Sequence, residues 1–186
     1  MKNKAEKTVI CQGEKFNIFI THDQIIKRTR EICNKIDIDY KNKHPIFIGV
    51  LNGAFIFLAD LMRNVNITCE VDFLKLSSYG DEKLSSGSVT EIKEIDANVE
   101  GRHVIVVEDI VDTGLSINYL TEKIKMKHPA SIEILTLLHK KEATKYNVDL
   151  KYIGFEIPDR FVLGYGMDYA QVGRNLPHIY ALSEET

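Results

Sequence analysis

The chain has 186 residues, 44% hydrophobic and 27% charged, which suits one folded domain spanning 1–186 and excludes a disordered, collagen-like or disulfide-scaffolded polymer. Its 24 basic and 27 acidic residues leave a net charge of −3, so no general positive field holds nucleic acid and any polyanionic ligand must be gripped locally. Cys11, Cys33 and Cys69 have no zinc spacing, the charged start lacks a signal-peptide core, and no run reaches the ~20 apolar residues of a membrane span, so the reading is a cytoplasmic protein with no membrane partner.

In chain order, Thr21 and Gln24 match a capping box, and Ile25, Thr29, Ile32, Cys33 and Ile36 then fall on one face of a helix. Pro45 introduces a short β-branched strand, Ile46 to Leu51, that stops at Asn52 and Gly53. Phe55, Leu58, Ala59 and Met62 recur at helical intervals, so this turn feeds a helix and not a hairpin partner. A strand over Glu70 to Ser77 and a half-buried one over Val89 to Ile95 flank a polar stretch that reads as a mobile arm. Val104 to Val107 is the clearest buried strand and is read as ending at Glu108. The helix after it turns Ile117, Leu120, Ile124 and Met126 inward until Pro129. Strands over Ile132 to Leu138, Tyr152 to Phe155 and Phe161 to Tyr165 complete an α/β pattern. It predicts a mostly parallel sheet covered on both faces, with ligands beyond the carboxyl ends of the strands.

At that edge Glu108, Asp109 and Asp112 are followed by Thr113, Gly114, Leu115 and Ser116 at the start of a helix. Glu108 and Asp109 suit hydroxyls and cations. The turn suits an anion, because the first amides of a helix have no intrahelical acceptor and Thr113 and Ser116 add hydroxyl donors. A ribose 5-phosphate needs that pairing. Taken alone an Asp-Thr-Gly run is a turn or a cap, and Asp112 can serve as an N-cap as well. The six histidines, by contrast, show no ligand spacing, and most of them read as surface or helix-end residues.

The run from Val104 to Ser116 resembles the phosphoribosyl-diphosphate motif of the type I phosphoribosyltransferases. Val50 to Phe55, Leu76 to Gly80, Leu138 to Lys140 and Gly154 to Tyr169 resemble the hypoxanthine-guanine phosphoribosyltransferase branch in order and spacing. The resemblance implies the type I fold, with a small hood built from roughly 1–15 and 164–186. It implies a purine salvage enzyme that transfers phosphoribosyl from 5-phosphoribosyl 1-diphosphate to N9 of hypoxanthine and guanine, giving the mononucleotide and diphosphate. Glu108 and Asp109 would hold the ribose hydroxyls, directly or through magnesium, with Asp168 as a further acidic partner of the ion. Asp112 to Ser116 would wrap the 5-phosphate, and Asp112 would exchange a proton with the purine N7.

For the diphosphate the resemblance implies a loop at Leu51, Asn52 and Gly53 with a cis peptide after Leu51, helped by Arg174 and by a closing arm at Ser78 and Tyr79. Many relatives carry Lys at the position of Asn52, so here the contact would fall to backbone amides and Gly53. Lys140 would donate to the purine 6-oxo group, Phe161 would stack on the ring, and the carbonyls of Val162 and Asp168 would accept from it. A homo-oligomer, dimer or tetramer, is also implied. The alternative is a regulator on the same scaffold that binds phosphoribosyl diphosphate as a signal. The acidic balance and the joint presence of Asp112, Lys140, Phe161 and Asp168 favour the enzyme, and an oxidoreductase would need a G-x-G-x-x-G that the chain lacks.

Overall fold

The computed structural model describes residues 7–78 and 89–183. A hairpin of β1 (Thr8–Cys11) and β2 (Glu14–Ile20) leads into α1 (His22–Asp39), which starts at the expected capping box and buries the five residues of its apolar face. Then come β3 (Ile46–Leu51), α2 (Phe55–Asn64), β4 (Glu70–Ser78), β5 (Val89–Lys93), β6 (His103–Val111) and α3 (Leu115–Lys125). The chain closes with β7 (Ser131–His139), β8 (Leu150–Glu156), β9 (Val162–Leu163) and β10 (Ile179–Leu182).

The main sheet has the order β5-β4-β3-β6-β7-β8. Every pair is parallel except β4 with β5; α2 makes the crossover from β3 to β4, α3 that from β6 to β7, and the helix-free segment 140–149 that from β7 to β8. Alternation along the strands divides the core. Phe47, Ile105, Val107 and Leu135 join Ile25, Ile32, Phe57 and Leu61 of α1 and α2. Ile46, Ile48, Val104 and Val106 join Ile117, Leu120 and Ile124 of α3. Each of these fully buried apolar side chains contributes ~1.5–3 kcal/mol, which is why the β-branched runs were legible as central strands. The second sheet, β1-β2-β10-β9, joins both ends of the described chain over 8–20 and 162–182 and packs Phe16, Leu163 and Tyr180 into its own cluster.

Several expectations change. β6 does not end at Val107. Its register with β3 stops at Gly49 opposite Val107, but β7 continues beside it, pairing Glu108 with Thr136 and Val111 with His139, so Glu108 and Asp109 are strand residues held on one side only. Met126 points outward, 76% exposed, because α3 ends at Lys125 and the next residues turn toward Pro129. The strand expected from Phe161 to Tyr165 is reduced to Val162–Leu163, since Gly164, Tyr165 and Gly166 all take positive φ. The polar arm over 79–88 lies outside the described residues.

Asp72 on β4 holds the return from β5. Its carboxylate accepts from the backbone amides of Phe73, Asp96 and Ala97 at 2.7, 2.7 and 2.8 Å and from Lys93 Nζ at 3.4 Å. Burial alone would raise its pKa, but the three amides and Lys93 outweigh it and hold the group below its ordinary 3.8. A depressed folded value means the stabilisation is present above about pH 4 and is lost as pH falls through that lower value. Asp72→Asn is expected to remove about 1.5–3 kcal/mol at pH 7. Urea midpoints at pH 7 and pH 3 check it: the difference between wild type and variant narrows at the lower pH.

Candidate active site

The site grows from the point where β3 and β6 part. β3 turns away through a cis peptide between Leu51 and Asn52, and Gly53 then meets the continuing β6. A Cβ on Gly53 would lie 1.8 Å from Asp109 Oδ2, so only glycine lets the carboxylate rest on this turn. Gly166, at φ 102°, touches the same turn from the other side, where a Cβ would stand 2.1 Å from Gly53 O. Three segments distant in sequence, 51–54, 108–112 and 164–168, are thereby in direct contact.

Beyond Val111 the chain enters α3 with Gly114 as a left-handed N-cap that offers no side-chain bond. Asp112 is therefore not the cap. Thr113 Oγ1 accepts only a long 3.4 Å bond from the Leu115 amide. A cleft of about 90 Å³ opens here, lined by Glu108 and the 110–117 turn, and the helix-start amides around it suit an anion. The segment 140–146 braces the turn from behind. The Lys140 amide donates to Val111 O at 2.9 Å, and those of Lys145 and Tyr146 donate to Thr113 O at 3.0 and 3.1 Å. Thr144 Oγ1 lies 2.8 Å from Asp112 O and 3.0 Å from Lys140 O, with His139 Nε2 at 3.1 Å. The single hydroxyl proton serves one of these carbonyls at a time, which leaves the hydroxyl oxygen to accept from a protonated His139 Nε2, while the buried Nδ1 has no hydrogen-bond partner among the described residues.

A second cleft, of about 240 Å³, adjoins the first and is lined by Asp109, Ile110, Asp112, Lys140, Phe161, Val162, Met167 and Asp168. Lys140 is only 8% exposed, and its Nζ donates to Asp112 Oδ2 at 3.0 Å and Asp159 Oδ1 at 2.9 Å. Phe161 stays 45% exposed, with Tyr169 edge-on to its ring at 5.1 Å and Phe16 at 6.1 Å. Across the cleft Asp168 Oδ1 pairs with Arg174 at 2.7 Å and Oδ2 accepts the Gln171 amide at 2.8 Å. Arg174 also donates to Gly166 O at 2.9 Å.

The electrostatics follow from burial. Glu108 and Asp109 are half-buried residues whose carboxylates lie below the surface. Burial, then the neighbouring Asp109 charge, pushes Glu108 well above the ordinary carboxylate range. Burial raises Asp109 too, opposed by its bond to Glu108, by the amides of Asp109 and Ile110, and by Arg174. For Lys140 burial disfavours the ammonium, but Asp159 and Asp112 outweigh it and the pKa lies above the usual lysine value. The cleft thus presents a fixed cation beside a carboxylate and an open aromatic face. A flat heterocycle carrying an acceptor at one edge matches that set.

Residues 19–170 match the phosphoribosyl transferase domain family. The hypoxanthine-guanine phosphoribosyltransferase of Bacillus subtilis (strain 168) is 42% identical over 165 residues, covering 89% of this chain and 92% of its own. That of Aquifex aeolicus is 38% identical over 174 residues, covering 93% and 98%. The crystal structure of a Bacillus anthracis hypoxanthine-guanine phosphoribosyltransferase aligns at a TM-score of 0.86 with 38% identity, over 90% of this chain and 98% of that one. This chain belongs to the hypoxanthine-guanine phosphoribosyltransferase family. The regulatory alternative finds no support among these relatives.

Against that family the structure brings together Asn52 and Gly53, Glu108 to Ser116, Lys140, Phe161, Val162, Asp168 and Arg174 as two adjoining clefts and their rims. Ser78 ends β4, and Tyr79 lies outside the described residues. Among the described residues no three His, Cys, Asp or Glu side chains are grouped to hold a metal ion by themselves. Sequence reasoning missed Ile110 and Met167 in the cleft wall, Tyr169 behind Phe161, Thr144 behind the 112–116 turn, and Asp159. Asp159 lies within the run Gly154 to Tyr169, but its only signal of its own is its place after Pro158, which reads as a turn. His139 is half-buried at the end of β7, with Nε2 3.1 Å from Thr144 Oγ1.

Proposed function

We propose that this family member transfers the phosphoribosyl group of 5-phosphoribosyl 1-diphosphate to N9 of hypoxanthine and of guanine, a purine salvage reaction that yields the 5′-mononucleotide and diphosphate. The observation that carries the reading is the placing of Lys140 Nζ 3.0 Å from Asp112 Oδ2 in the cleft that also holds Phe161, immediately beside the anion-binding turn. The 5-phosphate sits on the amides and hydroxyls of Asp112 to Ser116, the ribose hydroxyls on Glu108 and Asp109, and the diphosphate by Asn52, Gly53 and Arg174.

The base lies on Phe161, with the carbonyls of Val162 and Asp168 as acceptors for its edge. Purine N9 attacks the anomeric carbon as the bond to diphosphate breaks. Asp112 takes the N7 proton, a general-base contribution of about 10²–10⁴ in rate. Lys140 donates to the 6-oxo group; the 6-amino group of adenine would set a donor against a donor.

Magnesium fits the donor set. Glu108, Asp109 and Asp168 offer hard oxygens, and Glu108 Oε2 is buried with no hydrogen-bond partner among the described residues. With no three-residue cage among the described residues, the ion would be held by one or two of these carboxylates plus substrate oxygens and water, the habit of magnesium. Once bound it neutralises charge on the diphosphate. The free thiols Cys11, Cys33 and Cys69 suit a reducing cytoplasm, and no helix of the described residues is long and apolar enough to cross a membrane. An assembly of two or four copies belongs to the same reading, and sedimentation would measure it.

Incubating the protein with magnesium, phosphoribosyl diphosphate and each purine in turn tests the reading: IMP and GMP are expected, and their absence overturns it. Lys140→Ala is expected to lower the preference for hypoxanthine over adenine by ~10–100-fold, the worth of a hydrogen bond to a charged group. An unaltered ratio of the two kcat/KM values would remove Lys140 from base recognition.

A further inference from the structure

We infer that Asp159 is the positioning residue that aims Lys140 at the base, and that it thereby shares in setting the preference for 6-oxopurines. The inference rests on the base-recognition reading of Lys140 above.

An ammonium has three donors. Two of those on Lys140 are taken, by Asp112 Oδ2 and Asp159 Oδ1 at 3.0 and 2.9 Å, so the third direction is fixed by the first two. These anchors differ in kind. Asp112 must turn toward the purine and accept its N7 proton, which weakens its hold on Lys140 at the moment the lysine is needed. Asp159 has no such second task.

Its backbone is also tied down on both sides. The Ile157 amide donates to His139 O at 2.9 Å, directly beside Lys140, and the Arg160 amide closes the turn on Pro158 O at 2.8 Å. The Leu182 amide donates to Phe161 O at 3.0 Å, while Arg160 reaches Leu182 O at 2.9 Å. One short turn therefore carries both the partner of Lys140 and the stacking ring, so cation and aromatic face hold a common frame.

Charge leads to the same assignment. With Asp112 ionised, the lysine faces two carboxylates. Once Asp112 has taken the N7 proton, Asp159 is the remaining counter-charge, and it keeps the nearly buried ammonium paired while its third donor serves the oxygen at position 6. Without Asp159 the lysine can swing with Asp112, and its aim at position 6 is lost.

The test compares Asp159→Asn and Asp159→Glu with wild type, with Lys140→Ala as the reference. The Asp159 side chain is 64% exposed, so these variants fold, and thermal midpoints verify it. Asp159→Asn is expected to raise KM for hypoxanthine about tenfold, to lower the hypoxanthine-to-adenine ratio of kcat/KM by a similar factor, and to leave KM for phosphoribosyl diphosphate unchanged. Asp159→Glu is expected to restore part of the ratio, which a merely structural role would not do. If Asp159→Asn keeps the wild-type ratio while Lys140→Ala loses it, the positioning role is overturned and the lysine reading stands. If Lys140→Ala also keeps the ratio, both are overturned.

Discussion

Asp112→Asn is expected to lower kcat by about 10²–10⁴, the usual worth of a positioned general base, while leaving the affinity for phosphoribosyl diphosphate nearly unchanged. The amide has the size of the carboxylate, and its oxygen still accepts from Lys140 Nζ, now 3.0 Å from Asp112 Oδ2. What it cannot do is take a proton. The 112–116 turn is untouched, because Asp112 enters it through its carbonyl, held by Thr144 Oγ1 at 2.8 Å, and because Thr113 O is held by the amides of Lys145 and Tyr146. Donor affinity by calorimetry and turnover under saturating substrates separate the two roles. Unchanged turnover would take the proton transfer away from Asp112, and loss of donor affinity would show that its charge serves binding.

The second large effect is expected at Gly166, which touches no substrate in this reading. Gly166→Ala would place a methyl 2.1 Å from Gly53 O at a φ of 102°, where L residues carry strain of about 1–3 kcal/mol. The obstacle is backbone, so the loop has to move. Met167 and Asp168 line the cleft beside it, and Arg174 is bonded to Gly166 O. A displacement of about 1 Å at a reacting centre lowers rate by ~10², and a loss of kcat/KM of that order is the expected result. The thermal midpoint should fall only modestly, since the neighbouring Tyr165 keeps its hydroxyl bond to Asp60 Oδ2 at 2.5 Å. A variant with wild-type kinetics would show that the close contact between the two turns does not govern the geometry of the site.

The elements legible in the sequence were those whose signal is local. The helical face of α1 and its capping box are matters of spacing within one segment, and each is present as read. Ile46 to Leu51 and Val104 to Val107 were legible because strands covered on both faces must be apolar at every position. The acidic turn was legible because a helix start and its flanking carboxylates are contiguous. By contrast, the extension of β6 to Val111 depends on β7 lying alongside. No property of Glu108 or Asp109 announces a neighbour 28 residues away, and their polarity argued for a loop.

The sequence by itself therefore determined the layers, the buried face of α1 and the contiguous acidic strand-to-helix corner, since each rests on periodicity or on adjacent residues, whereas on α2 Phe57, Leu58 and Leu61 are buried and Phe55 is exposed. Only the tertiary structure decided that Gly53 and Gly166 are the contact points of three remote segments, and that Asp159 shares Lys140 with Asp112. Those contacts are set by where strands stop pairing and where turns are pinned. An exposed acid after a proline, or a glycine in a loop, looks the same in the string whether or not a remote segment meets it.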